Sequence, residues 1–291
     1  KLLVTTPDTS PTGSEYQTVQ QDIEAQNCLG LLDSSGDFKP FTVSFEVLIN
    51  GDGTGVAASN PKLACFILND DGNRHYVKDV VVASGQAASW ERVSFTVPAD
   101  ATAYVNNDNG KGVTFGCTLI AGSSDNTTDE TWGTGTGGDH STSSSANIGY
   151  ANGNYLGITN VQLEVGSVST DFAHEDIGTT LNKCFRYFEK QDYVVNTFAA
   201  IGFSNTTTSH QMVLQFTEKR ATGPTIAVST ATQWEVNRQG TDQQLTALAG
   251  SSASKVGMTL IATVSSGLTA GEAAAIRSNN SGNFITISSE L

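Results

Sequence analysis

"FTVSFEVLI", residues 41–49, is the stretch on which the fold turns. Phe41, Val43, Phe45 and Val47 fall on one side of an extended chain, with polar residues between them. A period of two marks a half-buried β-strand. "WERVSFTVP", 90–98, repeats the pattern with Val93, Phe95 and Val97 on one face. "KLACFIL" (62–68) and "HYVKDVVVA" (75–83) flank "NDDGN", and Asp71-Gly72 between two apolar runs predicts a hairpin. "GDGTGV" (51–56) breaks the first strand, while "GVTFGCTLIA" (112–121) and "YLGITNVQLEVG" (155–166) add two more. Short strands joined by polar turns predict an all-β protein whose N-terminal part, 28–175, is a β-sandwich, most simply a jelly roll. Residues 1–27, polar and containing Pro7 and Pro11, read as a connecting arm that joins the end of a strand. Ser123 to Asn147 reads as a long surface loop around Trp132.

"TDFAHEDIGTTLNKCFRYFEKQ", 170–191, breaks the β pattern. Leu181, Cys184, Phe185 and Phe188 lie at i, i+3, i+4 and i+7, one face of a helix. A short linker helix within 176–190 follows, capped by Thr179 or Thr180, with Leu181, Phe185 and Phe188 buried. Arg186, Tyr187 and Glu189 lie on its other side. Strands then return in "NTFAAIGFS", "HQMVLQF", "TIAVST", "KVGMTLIATVS" and "NFITISSEL", a smaller C-terminal β domain over 191–291, with Pro224 opening one strand.

The chain has 291 residues and a formal net charge of -14, with 15% charged residues and 29 Gly. Such acidity argues against a nucleic-acid backbone as partner. No run of about eighteen apolar residues marks a membrane span. The chain begins at Lys1 without an apolar leader and reads as processed, or as part of something longer. Cys28, Cys65, Cys117 and Cys184 sit far apart among apolar neighbours and read as buried free thiols.

The residues "NYLGITNVQLEVGSVSTDFAHEDIGTTLNKCFRYFEK" resemble a module of tailed-bacteriophage virion proteins, especially tail fibres and receptor-binding proteins. The resemblance rests on Ile158, Thr159, Val161, Gln162, Leu163, Glu164, Gly166, Thr170 and Phe172, then on Cys184, Arg186, Tyr187 and Phe188. In that family a carbohydrate-binding-like jelly roll precedes a small β unit with a Met-Arg turn and a terminal Glu-Leu. Here "VLQFTEKRATGPTIAV" and "AAAIRSNNSGNFITISSEL" are similar to that unit. Two positions depart from the pattern: Asp171 stands where Pro is usual, and Lys219 where Met is usual. The resemblance implies a virion structural or adhesion protein and a homotrimer.

No catalytic motif accompanies these features. His75, His140, His174 and His210 are isolated, and neither a nucleophile elbow nor a phosphate loop is present. "NDDGNR" fails the EF-hand pattern at Arg74 and Val80, so the hairpin explains it better; a structural calcium in the sandwich stays open as a cofactor. Trp90 opens an alternating strand and reads as core or core edge. Trp132 has two readings: a sugar-stacking platform served by Asp129, Asp139 and Asn147, or a ring folded back to pin its own loop.

The leading expectation is therefore a non-enzymatic phage adhesion protein on the virion, contacting a bacterial surface glycan. The alternatives are a structural virion component that binds no sugar and a surface-polysaccharide depolymerase. Surplus apolar residues in "NTFAAIGFS" and "KVGMTLIATVS" also predict self-association through the C-terminal unit.

Overall fold

In a computed structural model the chain forms two compact units, residues 1–174 and 175–290. Residues 1–50, 60–83, 89–137, 139–239 and 241–291 are described. The break expected at 51–56 lies outside them.

The first unit contains β1 (Leu2–Leu3), β2 (Tyr16–Glu24), the single turn α1 (Ala25–Cys28), β3 (Phe41–Asn50), β4 (Lys62–Asn69), β5 (Arg74–Val81), β6 (Glu91–Val97), β7 (Lys111–Ala121), β8 (Trp132–Thr134) and β9 (Tyr155–Val165). They form one sheet in the order β1-β9-β3-β6 and a second in the order β2-β7-β4-β5-β8. Setting aside the three-residue β8, the chain changes sheet at every step except the β4–β5 hairpin. That alternation is the double Greek key of a jelly roll. Phe41, Val43, Phe45, Val47 and Ile49 of β3 face Leu63, Cys65 and Ile67 of β4 and Val113, Phe115 and Cys117 of β7 across the core. Burying large apolar side chains of this kind stabilises by roughly 1.5–3 kcal/mol each.

The hairpin forms where expected. Its turn spans residues 70–73, because Asn69 pairs with Arg74. Gly72 N–H donates to Asn69 Oδ1, and Asn73 takes the left-handed backbone (φ 50°) that Asn tolerates. Residues 1–27 are not a plain arm. Tyr16–Glu24 is a nine-residue strand hydrogen-bonded only to β7, at the edge of its sheet. An edge strand open to water needs few apolar residues, and here Val19 and Ile23 alone pack on the core.

The second unit begins with α2 (Ile177–Phe185) and continues with β10 (Phe188–Tyr193), β11 (Phe198–Ser204), β12 (Ser209–Gln215), β13 (Thr225–Val228), β14 (Trp234–Asn237), β15 (Gln243–Ser251), β16 (Gly257–Val264), β17 (Ala273–Ser278) and β18 (Asn283–Ser288). Six strands close a barrel in the order β11-β12-β16-β15-β14-β17, and β10-β18-β13 form a separate sheet. Met258, Leu260, Ala262 and Val264 alternate inward along β16 to join Trp234, Leu245, Ile276, Ile285 and Ile287. At Gly202 an added Cβ would stand 1.9 Å from Gln211 O, so only glycine lets β11 and β12 approach there.

The helix departs from expectation in extent, cap and burial. Asp176, not a threonine, caps it, accepting from Gly178 N–H and Thr179 N–H. It ends at Phe185, and Phe188 already belongs to β10. Leu181 is 48% exposed, Phe188 40% exposed and Phe185 only half-buried. The amphipathic face exists, but its residues are exposed or only half-buried. Cys184 on that face is exposed, whereas Cys28, Cys65 and Cys117 are buried thiols.

Candidate functional site

The two faces of the sandwich differ. Both sides of the five-stranded sheet are covered. Its back carries a small cluster of Ala64, Phe66, Leu68 and Val77. Residues 139–147 lie over that cluster. His140 packs edge-on to Phe66 with ring centroids 4.9 Å apart, and its carbonyl accepts from Thr118 Oγ1. Asp79, itself buried, accepts hydroxyl hydrogen bonds from Thr142 (2.6 Å), Ser144 (2.8 Å) and Ser145 (2.7 Å). The long polar loop is thus a fastened cover, and its Ser and Thr residues satisfy a buried carboxylate.

The residues expected to hold a glycan belong to this cover. Trp132 lies in β8 and folds back: its ring packs on Tyr76 (5.5 Å) and Phe38 (6.1 Å), and Nε1–H donates to Pro98 O at 2.8 Å. Of its two readings, the structure takes the one in which the ring pins its loop. Asp129 Oδ1 accepts from Asp79 N–H at 2.9 Å, and Asp139 Oδ2 lies 3.2 Å from His75 Nδ1. These three residues meet along the β5–β8 edge. Asn147 does not join them; its Nδ2 donates to Asp8 O at 3.1 Å.

The motif in β9 is likewise a clamp. Glu164 accepts from Thr170 N–H and Oγ1, Gln162 Oε1 accepts from Ala173 N–H, and Arg92 donates to Thr170 O. Gln162, Glu164 and Thr170 thereby bind the segment leaving the sandwich back onto its last strand. In the second unit Arg220 donates to Ser289 O and Glu290 O, tying the Lys-Arg turn to the terminal Glu-Leu segment. Lys219, where the resembling family has Met, is fully buried; its Nζ donates to Phe185 O (2.6 Å) and Glu189 Oε2 (3.0 Å). Burial pushes the Glu189 carboxyl up, but hydrogen bonds from Gln191, Lys219 and Thr217 N–H outweigh it and hold the carboxyl below its ordinary range.

The outer face of the four-stranded sheet is different. β6 alternates buried and open residues, and the segment 166–173 crosses part of that face, where Thr42 and Ser44 are buried and Arg92, Gln162 and Glu164 hold it. Trp90 stands here, 50% exposed, rather than in the core. An added Cβ at Gly157 would come within 3.0 Å of its Cη2 and within 3.3 Å of Leu48 Cβ, so glycine leaves room for the indole against the sheet. Around it the register sets Glu46 beside Arg92 and Thr159, and Asn50 beside Tyr155. The Lys1 ammonium lies 3.4 Å over the Tyr155 ring. The signal was in the sequence. Val93, Phe95 and Val97 point inward, so the period of two sends Trp90 outward with Arg92 and Ser94.

A cleft of about 620 Å³ lies between the N-terminal segment and β2, floored by Leu119 and Ile120. Its acidic side chains are engaged locally: Asp8 caps Ser10 N–H, and Glu15 accepts from Thr12. Beneath the cover His140 Nδ1 lies 3.7 Å from Asp125 Oδ1, both residues buried. Burial lowers the His140 pKa, with the Asp125 carboxylate pulling the other way. Among the described residues no group of three or more His, Cys, Asp and Glu side chains is placed to hold a metal. At the hairpin, Asp71 accepts from Asn106, and Asn69 donates to Tyr104 O and Gly112 O, so these side chains brace neighbouring loops.

Comparison with known proteins adds little to this geometry. No family model matches the sequence, and no curated protein matches it. A solved chain titled "Red Clover Necrotic Mosaic Virus" aligns over 99% of this chain and 96% of its own at 11% identity, with a TM-score of 0.16. An overlap that low carries no argument about fold or function.

Proposed function

We propose that the protein is a non-catalytic adhesion protein of a phage virion, a tail fibre or receptor-binding protein, and that it meets a bacterial surface glycan on the outer face of its four-stranded sheet. The observation carrying this reading is the half-exposed Trp90 on the outer face of the four-stranded sheet. An indole packs its apolar face against the C–H groups of a pyranose, while neighbouring polar groups bond the hydroxyls. Glu46, Arg92, Asn50 and Thr159 supply donors and acceptors in that neighbourhood. The virion assignment rests on the sequence resemblance alone.

Screening the intact protein against an array of bacterial surface polysaccharides tests it. Binding should appear, Trp90→Ala should weaken it about tenfold or more, the worth of a stacked ring of roughly 1–1.5 kcal/mol, and Trp132→Phe should leave it unchanged. An array without hits, together with a position on the capsid shell in electron micrographs of the virion, would favour a purely structural component. Shortened polysaccharide chains after incubation would instead identify a depolymerase.

A further inference from the structure

We propose that Cys65 and Cys117 are the two halves of a disulfide that staples β4 to β7 when the chain folds in an oxidising environment. In the structure both are free thiols, wholly buried in the core of the first unit, with their sulfurs 3.6 Å apart. They stand directly opposite each other in the register of these neighbouring strands. Opposed residues of an antiparallel pair hold their Cα atoms about 4.5–5.5 Å apart, inside the span of about 4.4–6.8 Å that a disulfide bridges. The bond therefore needs rotation of two side chains and no movement of the backbone. The adjacent pair, Phe66 and Gly116, pins the register. An added Cβ at Gly116 would stand 2.2 Å from the Phe66 ring. A one-residue slip, which would part the cysteines, would also set a larger residue opposite that ring. The ladder runs from Leu68 and Thr114 to Cys65 and Cys117, so the bond closes its last rung.

The other two cysteines are placed differently. Cys28 Sγ lies 3.9 Å from Ile23 O, and Cys184 is an exposed residue of the second unit. The oxidant is a small-molecule disulfide, such as oxidised glutathione. The thiolate of one cysteine attacks it, forming a mixed disulfide and releasing one thiolate. The thiolate of the second cysteine then attacks the protein sulfur of that mixed disulfide and releases the other. Two protein thiols thereby lose two electrons and two protons, and the reagent leaves as two thiols. Timing follows from burial. In the folded chain burial pushes the Cys65 thiol well above its ordinary value, with the neighbouring Cys117 acting the same way, and the thiolate is the attacking species. The exchange thus belongs to the folding chain, before β4 and β7 close over the sulfurs, and the folded protein keeps the redox state in which it formed. The two cysteines lie 52 residues apart in sequence, so the bond restricts the unfolded chain strongly. It forms or fails independently of any glycan contact.

Refolding the denatured full chain in oxidised and in reduced glutathione tests this. Peptide mapping without reduction should find Cys65 joined to Cys117 in the first sample and both open to alkylation in the second. Folded, reduced protein placed in the oxidised buffer should keep both thiols; oxidation as fast as refolding would overturn the timing. In calorimetry the first unit of the oxidised chain should melt about 5 °C or more above that of the reduced chain. The second unit, which holds neither cysteine, should melt unchanged. Cys117→Ala should abolish the difference, and Cys65→Ala takes its place if that variant does not fold; the peptide map needs no variant. An oxidised, refolded chain with both thiols free, one with Cys28 as the partner of either, or one that melts together with the reduced chain would each overturn the proposal.

Discussion

The two units of this chain solve the same problem in opposite ways. A β-sheet has two faces, and each must be covered or made polar. The first unit finishes the task within itself. One face of the five-stranded sheet meets the core, residues 139–147 pack on the other, and the outer face of the four-stranded sheet is mostly polar around Trp90. The second unit closes its sheet into a barrel and balances its charges with pairs such as Arg277–Glu235, Arg277–Asp242 and Arg238–Glu272, yet leaves apolar side chains outside. Excess acidity thus lies in one unit, with 20 acidic and 7 basic side chains over 1–174, and exposed large apolar side chains such as Ile201 and Val213 in the other.

The sharpest contrast lies in how each unit buries charge. In the second unit Lys219 and Glu189 form an ion pair, with the lysine wholly out of water. Glu189→Gln strands that ammonium and should cost about 3–5 kcal/mol in denaturant unfolding, because an unpaired buried charge loses its partner but not its desolvation penalty. Adding Lys219→Met to Glu189→Gln should recover most of the loss, since a buried pair can be replaced by apolar groups at little net cost. No recovery would mean that the Phe185 carbonyl, rather than Glu189, is the partner that matters.

In the first unit one buried carboxylate, Asp79, is satisfied by hydroxyls. Asp79→Ala removes the acceptor for Thr142, Ser144 and Ser145 together and should cost about 2–4 kcal/mol, with hydrogen bonds to a charged group worth roughly 1.5–3 kcal/mol each and partial rescue by water. Amide exchange should show the loss concentrated in 123–147. A loss spread evenly over the sandwich would show that the cover is not a separate unit of stability.

These two sites also show how far the sequence could be read. The alternation in β3, β6 and β7 and the turn at Asp71-Gly72 gave the sandwich and its hairpin, because half-buried strands must alternate. Tyr16–Glu24 escaped, since an edge strand with two inward apolar residues has almost no alternation to detect. β15, "QQLTALAGS", escaped likewise: only Leu245 and Leu248 along it are buried. The helix face at Leu181, Cys184 and Phe185 was legible, but periodicity identifies a face and not what covers it. The tryptophans lie opposite to expectation, Trp90 exposed and Trp132 packed back, for a related reason. The sequence neighbours of Trp132 are polar, whereas Phe38, Tyr76 and Pro98 reach it from distant strands. The partnership of Asp79 with three hydroxyls more than sixty residues away left no local trace at all.

The smallest expected difference between the units concerns acid. The first holds His75 and His140 buried, the second His210. Burial lowers the pKa of His140 and of His210, but these two are not equally isolated. His140 has the Asp125 carboxylate beside it, which favours its protonated form. His210 has only Ser204 Oγ at 3.3 Å from Nδ1, Nε2 has no partner, and the opposing influence is a backbone hydrogen bond at Ala274. The sign follows from proton uptake. Above the ordinary histidine pKa of about 6.5 neither the folded nor the unfolded chain holds the proton, and the full stability is present. As pH falls below it, the unfolded chain takes up the proton first, and stability declines until the lowered folded pKa is passed. The second unit should therefore lose more stability than the first between neutral and mildly acid pH. Trp234, the one tryptophan of that unit, reports its unfolding separately, and His210→Gln should flatten the decline. An equal slope in the two units would mean that Asp125 does not relieve His140. A steeper slope in the first would mean that groups other than these two histidines govern the response to acid.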